Sequence, residues 1–87
     1  MENYKSITSV YKIGGTSYGL QIGKIGSKYC IVLMKNKNIL EYKISETLSK
    51  DVFVSWVLSV VIFPNINPYN IMKTVDILIK QVKEKEI

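Results

Sequence analysis

Lysine is the residue type in this chain with the clearest chemical potential. The 87 residues contain twelve lysines, no arginine and no histidine, and the net charge is +5. Residues 1–50 carry this whole excess of positive charge, whereas residues 51–87 are neutral. An ammonium group binds phosphate or carboxylate as a point charge, without the two-pronged geometry of a guanidinium group. We therefore expect an anionic partner to bind the first half of the chain.

The residues predicted to bind such a partner are six lysines and one glutamine. They are Lys12, Gln21, Lys24, Lys28, Lys35, Lys37 and Lys43. Tyr18, Tyr29 and Tyr42 could stack on nucleobases if their rings point outwards. A basic sheet interleaved with aromatic side chains is one way in which proteins hold single-stranded nucleic acid. The alternative interpretation is a solvated sheet face with half-buried tyrosines.

The segment GLQIGKI places two glycines beside one of these lysines. It is not a P-loop, because that motif needs four residues between its glycines and a serine or threonine after the lysine. We interpret the glycines as turns, bulges and points of tight twist in the strands. In that interpretation Gly19 and Gly23 leave the backbone open beside Gln21 on the outer face of a sheet. Lys12 and Lys43 are expected on the same face.

The residues LQIGK, Leu20 to Lys24, carry a local resemblance. In a basic chain with four strands and a terminal helix, they resemble part of a transcriptional-coactivator family that binds single-stranded DNA as dimers. The resemblance implies binding of single-stranded nucleic acid. The chain departs from that family at residues 52–63, where an apolar segment stands in place of the expected polar loop.

Catalytic and metal chemistry have little support in this composition. Histidine, the commonest general base and metal ligand, is missing. Cys30 is the only cysteine, so the sequence offers no zinc cluster, no Cys–His pair and no internal disulfide. We interpret Cys30 as a small apolar side chain in a central strand. The sequence therefore predicts a protein that is not an enzyme and holds no metal or cofactor. A lone cysteine and an N-terminus without an apolar stretch favour the cytoplasm.

The elements that position these residues follow from hydrophobic periodicity. Period-2 alternation with Gly or Asn turns predicts a four-stranded antiparallel β-meander over about residues 4–44. Two helices are predicted to follow, over about 50–63 and 68–85, both packed on one sheet face. Asn67 before Pro68 is a typical N-cap for the second helix. We expect a single α+β domain over 1–87, with a basic sheet half (1–46) and a neutral helical half (47–87).

The first predicted helix covers the most apolar stretch of the chain, DVFVSWVLSVVIFP, from Asp51 to Pro64. As one strand, Val52 to Phe63 would measure about 40 Å, more than the diameter of about 30 Å expected for such a domain. As a helix it measures about 18 Å. Its polar residues Asp51, Ser55 and Ser59 form one helical stripe, and Ser49 is a suitable N-cap. The pattern therefore favours a helix that ends at Pro64.

This helix is apolar on more sides than one sheet face and one neighbouring helix can cover. Its apolar run of twelve residues, 52–63 with two serines, is too short for a membrane span, which needs about twenty. We expect the surplus to contact a second subunit, with a dimer favoured. The predicted interface residues are Phe53, Trp56, Val57 and Val60.

Three functions remain open on this evidence. The first is a homodimeric module that binds single-stranded nucleic acid through the basic sheet. The second is a protein-interaction adaptor or inhibitor, of the kind that viruses and mobile elements encode, acting through its apolar helix. The third is a binder of a small anionic ligand at a subunit interface.

Overall fold

An antiparallel sheet forms the first half of the chain. The computed structural model describes residues 3–60 and 66–86. The strands are β1 (Tyr4–Ser6), β2 (Tyr11–Lys12), β3 (Tyr18–Ile25), β4 (Lys28–Lys35) and β5 (Asn38–Ser45). The order across the sheet is β1-β3-β4-β5, and β2 pairs with the other end of β3. The predicted meander is confirmed, with its first strand present as two short segments.

Thr8 accounts for the break between β1 and β2. The amides of Ile7 and Thr8 both donate to the carbonyl oxygen of Ile22, at 3.0 and 3.1 Å. The Thr8 hydroxyl accepts from the Ile22 amide at 3.1 Å. Two successive residues thus occupy one ladder position, so the strand bulges away from β3 before it pairs again at Tyr11.

The two long hairpins turn at Gly and Asn residues, as the sequence pattern predicts. Gly26 has a φ of 62° in the β3–β4 turn, where Ile25 pairs with Lys28. Asn36 and Lys37 have φ values of 51° and 71° in the β4–β5 turn. Two-residue turns with positive φ suit the right-handed twist of the strands that they join.

Two capped helices follow the sheet. Helix α1 (Lys50–Val60) begins after Ser49, whose hydroxyl accepts from the Val52 amide at 3.3 Å. Helix α2 (Pro68–Lys85) begins after Asn67, whose side chain accepts from the Tyr69 amide at 3.0 Å. The preference for a helix over a strand in the apolar segment is confirmed. The predicted stop at Pro64 lies outside the described residues.

Both helices lie on one face of the sheet, as predicted, and the architecture is α+β. On this helix face, Leu20 and Ile22 of β3 lie opposite Leu33 and Ile31 of β4. The core consists of Ile13, Leu20, Ile22, Ile31, Leu33, Phe53, Val57, Ile71, Val75, Leu78, Ile79 and Val82. Within residues 3–60 and 66–86, neither helix has the length and hydropathy needed to cross a membrane.

Candidate interaction surface

Two of the predicted anion-binding lysines pair with acids of the chain itself. The Lys24 ammonium lies 3.0 Å from a Glu86 carboxylate oxygen and 5.1 Å from the centre of the Tyr29 ring. The Lys28 ammonium lies 3.8 Å from a Glu46 carboxylate oxygen. These carboxylates would compete with a phosphate for the two lysines, and anion binding by Lys24 and Lys28 stays a prediction.

Glu86 is the centre of a small polar cluster that ties the end of α2 to the sheet. The Tyr29 hydroxyl donates to Glu86 Oε1 at 2.6 Å, while Lys24 lies against Oε2. Hydrogen bonding from Tyr29 and then from Lys24 lowers the pKa of Glu86, because both stabilise its carboxylate. The cluster therefore has a structural role that accounts for Lys24 and Tyr29 without a ligand.

Lys43 lies on the opposite face from the one predicted. In the register of the sheet, Ile31 of the helix face pairs with Lys43, whereas Gln21 shares its face with Val32 and Tyr42. The expectation that Lys43 accompanies Gln21 is therefore wrong. Lys12 pairs with Gly19 and does share the outer face, the one away from the helices.

The backbone beside Gln21 is covered, which corrects the expectation that it lies open. The Tyr4 hydroxyl donates to Gln21 Oε1 at 2.9 Å, and Gln21 Nε2 donates to the Thr8 carbonyl at 3.0 Å. The Tyr4 ring lies against Gly23, so closely that a Cβ built there would be 2.6 Å from a ring carbon. Burial raises the pKa of Tyr4. Gly23 thus accommodates the Tyr4 ring and the β1 backbone, not a ligand.

Lys12 and Lys37 are two predicted residues that the structure does bring together. They line a cavity of about 400 Å³ at the hairpin end of the outer face. The other residues lining it are Val10, Ser17, Gly19, Met34 and Asn36. The Lys35 ammonium, in contrast, lies 5.1 Å from the centre of the Tyr18 ring. Lys35 of β4 pairs with Tyr18 of β3, and both side chains lie on the helix face.

The β5 half of the outer face is apolar, which the search for basic residues missed. Ile39, Tyr42 and Ile44 of β5 pair there with Met34, Val32 and Cys30 of β4. Val32 and Cys30 are fully buried, and burial raises the pKa of the Cys30 thiol. The β5 side chains Ile39, Leu40, Tyr42 and Ile44 are 39–49% exposed. We name these four residues the β5 strip.

Strand β5 is also an edge of the sheet. Among the described residues it pairs with β4 alone, so its other side offers backbone amide and carbonyl groups. A register shift between Leu33 and Met34 leaves Leu40 as an extra residue near the turn. From Glu41 to Ser45 the pairing is regular. The regular part of the edge is thus accessible along its length.

The predicted interface on α1 divides between the core and the surface. Phe53 and Val57 are fully buried within the chain and offer no surface to another subunit. Trp56 and Val60 are half-buried against the same core. The exposed apolar side chains of α1 are instead Val52 and Leu58. The polar stripe of Asp51, Ser55 and Ser59 is exposed, as predicted, and lines a groove with Lys43 and Trp56.

Within the described ranges, no group of three or more potential ligands among His, Cys, Asp and Glu is arranged to hold a metal ion. In comparisons with known proteins, no family model, no curated protein and no solved structure matches the chain.

Proposed function

We propose that this protein is a non-enzymatic protein-interaction module that binds its partner along strand β5. The observation that carries the proposal is the β5 strip, four large apolar side chains exposed side by side on one edge of the sheet. Isolated apolar residues are common on protein surfaces, but a contiguous exposed group marks an interaction site. The strip adjoins the buried Val32 and Cys30, so a partner that covers it would extend the apolar layer of the outer face.

The edge position adds a second source of affinity. An extended segment that pairs with β5 would satisfy its outward backbone groups while its side chains contact the β5 strip. Proteins usually protect such edges with lysines, prolines, bulges or a covering element. Here the bulge at Leu40 lies at the turn end of β5, and Glu41 and Lys43 are its charged residues beyond that point. The protection is thus light along the regular part of the strand.

The proposal is tested by co-purification from the native host with two matched lysine substitutions. Tyr42→Lys places a charge in the β5 strip, whereas Tyr69→Lys alters an exposed tyrosine at the start of α2. We expect the wild-type protein and the Tyr69→Lys variant to retain the same partner after nuclease treatment, and Tyr42→Lys to lose it. Equal recovery by all three proteins, or loss of the partner on nuclease treatment, would overturn the proposal.

Nucleic-acid binding at the Lys12–Lys37 cavity is the second candidate. The observation in its favour is Lys37 itself, which adopts the left-handed conformation that favours glycine and lines the cavity with Lys12. Among the described residues that line this cavity there is no carboxylate. Binding of a labelled single-stranded oligonucleotide should then weaken steeply with salt. It should also weaken in the Lys12→Gln and Lys37→Gln variants but not in Lys80→Gln, on the exposed face of α2. Equal affinity in all three variants would refute it.

A further inference from the structure

We propose that the partner of β5 is a second copy of the same strand, paired antiparallel about a two-fold axis at Tyr42. The inference rests on the proposed function, since it names the occupant of the same edge. Two antiparallel copies of one strand place residue i opposite residue j such that the two numbers have a constant sum. With the axis at Tyr42, Glu41 lies opposite Lys43 of the second copy, and Lys43 opposite Glu41.

The charges of β5 are complementary to themselves in this register. Glu41 and Lys43 both lie on the helix face, opposite Leu33 and Ile31, and both are exposed. Neither side chain forms an ion pair within the part of the chain that the structure describes. Pairing about Tyr42 therefore creates two cross-strand pairs of opposite charge, an arrangement that stabilises antiparallel sheets.

Neighbouring registers are disfavoured by the same charges. An axis at residue 41 would set Glu41 against Glu41, and an axis at residue 43 would set Lys43 against Lys43. Like charges directly opposite each other destabilise a strand pair. Intermediate registers are excluded, because facing residues of a strand pair must point to the same side of the sheet.

The outer face supports the same register with apolar contacts. Tyr42 would face Tyr42 of the second copy at the axis, and Ile44 would lie towards the turn end of the second β5, where the bulge at Leu40 ends the regular pairing. These residues belong to the β5 strip, so pairing would cover its exposed side chains with one another. The bulge at Leu40 confines regular pairing to the strand beyond it, which includes the three residues around the axis.

Charge reversal tests the partner and the register together. Glu41→Lys and Lys43→Glu each place like charges opposite each other twice, and we expect each to weaken dimerisation at least tenfold in sedimentation velocity. The double variant carrying both substitutions restores opposite charges and should recover the wild-type dimer. Circular dichroism checks that the variants fold. A wild-type protein that is monomeric at all concentrations, or a double variant as weak as the single ones, would overturn the inference.

Cysteine crosslinking tests the axis directly. In Tyr42→Cys the two introduced cysteines would face each other with Cα atoms about 4.5–5.5 Å apart, which suits a disulfide. In Ile44→Cys they would be offset by four residues, about 13 Å along the strand, too far for a bond. The native Cys30 is buried. The wild-type protein therefore serves as the control for any crosslinking that does not involve the introduced cysteine.

The expected result is a disulfide-linked dimer in Tyr42→Cys alone. Equal crosslinking of both variants would overturn the register. The proposed function can be correct even if the second copy is not the partner. If the wild-type protein is a monomer and Tyr42→Lys loses a different protein partner, only the inference of self-pairing is contradicted. A Tyr42→Lys variant that changes neither self-association nor partner recovery contradicts both.

Discussion

Adding one methyl group at Gly23, by substitution with alanine, should strongly destabilise this fold. A Cβ built there would lie 2.6 and 2.7 Å from two carbons of the Tyr4 ring and closer still to the Lys5 carbonyl oxygen. Carbon atoms in good contact are about 3.5–4.0 Å apart. The Gly23→Ala substitution must therefore push the ring and the β1 backbone away by about 1 Å. Lys5 is held in β1 next to Ser6, which pairs with Gly23, so that backbone has little room to move.

The loss in free energy of unfolding can be worked out from the displacement of the Tyr4 ring and the β1 backbone. Overpacking of a well-packed site costs about 1–3 kcal/mol. Displacing the ring also strains the 2.9 Å hydrogen bond from Tyr4 to Gln21, and a lost hydrogen bond costs about 1 kcal/mol. We expect Gly23→Ala to lower the free energy of unfolding by about 2–4 kcal/mol. Because a chain of this size is stable by about 4–13 kcal/mol in total, this is a large fraction.

The assay is urea denaturation, with Gly15→Ala as the matched control. No atom lies within 4 Å of a Cβ at Gly15, and its φ is not positive, so that variant should match the wild type within about 0.5 kcal/mol. A second readout is the reaction of Cys30 with a thiol reagent, since Cys30 pairs with Gly23 and the Tyr4 ring lies against Gly23 on the outer face. We expect faster reaction in Gly23→Ala. Equal stability of the two alanine variants would refute the close approach of β1.

Two further predictions concern the turn of β4–β5 and the Glu86 cluster. Lys37→Gly should raise the free energy of unfolding by about 1 kcal/mol in thermal or urea denaturation, because glycine adopts a φ of 71° without strain; no gain would contradict the turn geometry. Glu86→Gln should destabilise the protein at neutral pH, and the difference from wild type should close as the pH falls through the lowered pKa of Glu86, below its ordinary 4.5. A difference that stays constant down to pH 2 would contradict the Tyr29 and Lys24 contacts.

Much of the fold could be predicted because its signals are local. The caps at Ser49 and Asn67 depend on hydrogen bonds to amides two or three residues away, and both form. The choice of a helix for the apolar segment rested on length, and the principal extents of 35 × 24 × 19 Å leave little room for a strand of about 40 Å. The broken first strand was missed because Thr8 competes for Ile22, a partner fourteen residues away.

The faces of β5 illustrate what periodicity alone leaves open. The alternation in ILEYKI separates Tyr42 and Ile44 from Glu41 and Lys43, but it does not say which set faces the helices. Strand β3 decides this, because Leu20 and Ile22 form its apolar side and its other side carries Gly19, Gln21 and Gly23. The helices cover the β3 apolar side, which leaves the apolar side of β5 on the outer face. The segment YCIVLMK, apolar on both sides, was the signal that the outer face also has an apolar layer.

The sequence could not reveal the partners of lysine side chains where those partners lie far along the chain. Lys24 meets Glu86, sixty-two positions along the chain, because α2 returns across the sheet. The spacing of residues within the basic half cannot reveal this partner, because Glu86 lies in the helical half of the chain. Lys12 and Lys37 also meet through the topology, because β3 brings β2 and the β4–β5 turn to one end of the sheet. Composition located the charge in the first half of the chain, whereas topology decided which charges meet.

The two halves of the outer face of the sheet differ in how far the described residues cover them. Strand β1 pairs beside β3, and its Tyr4 side chain covers Gly23 and holds Gln21. Over β5, no described residue plays that part, and the β5 strip remains 39–49% exposed. One apolar layer thus runs from Cys30 and Val32, which are buried, to Tyr42 and Ile44, which are not. A strand added at β5 would cover its half of the face as β1 covers the other, which is why we place the partner there and not on α1.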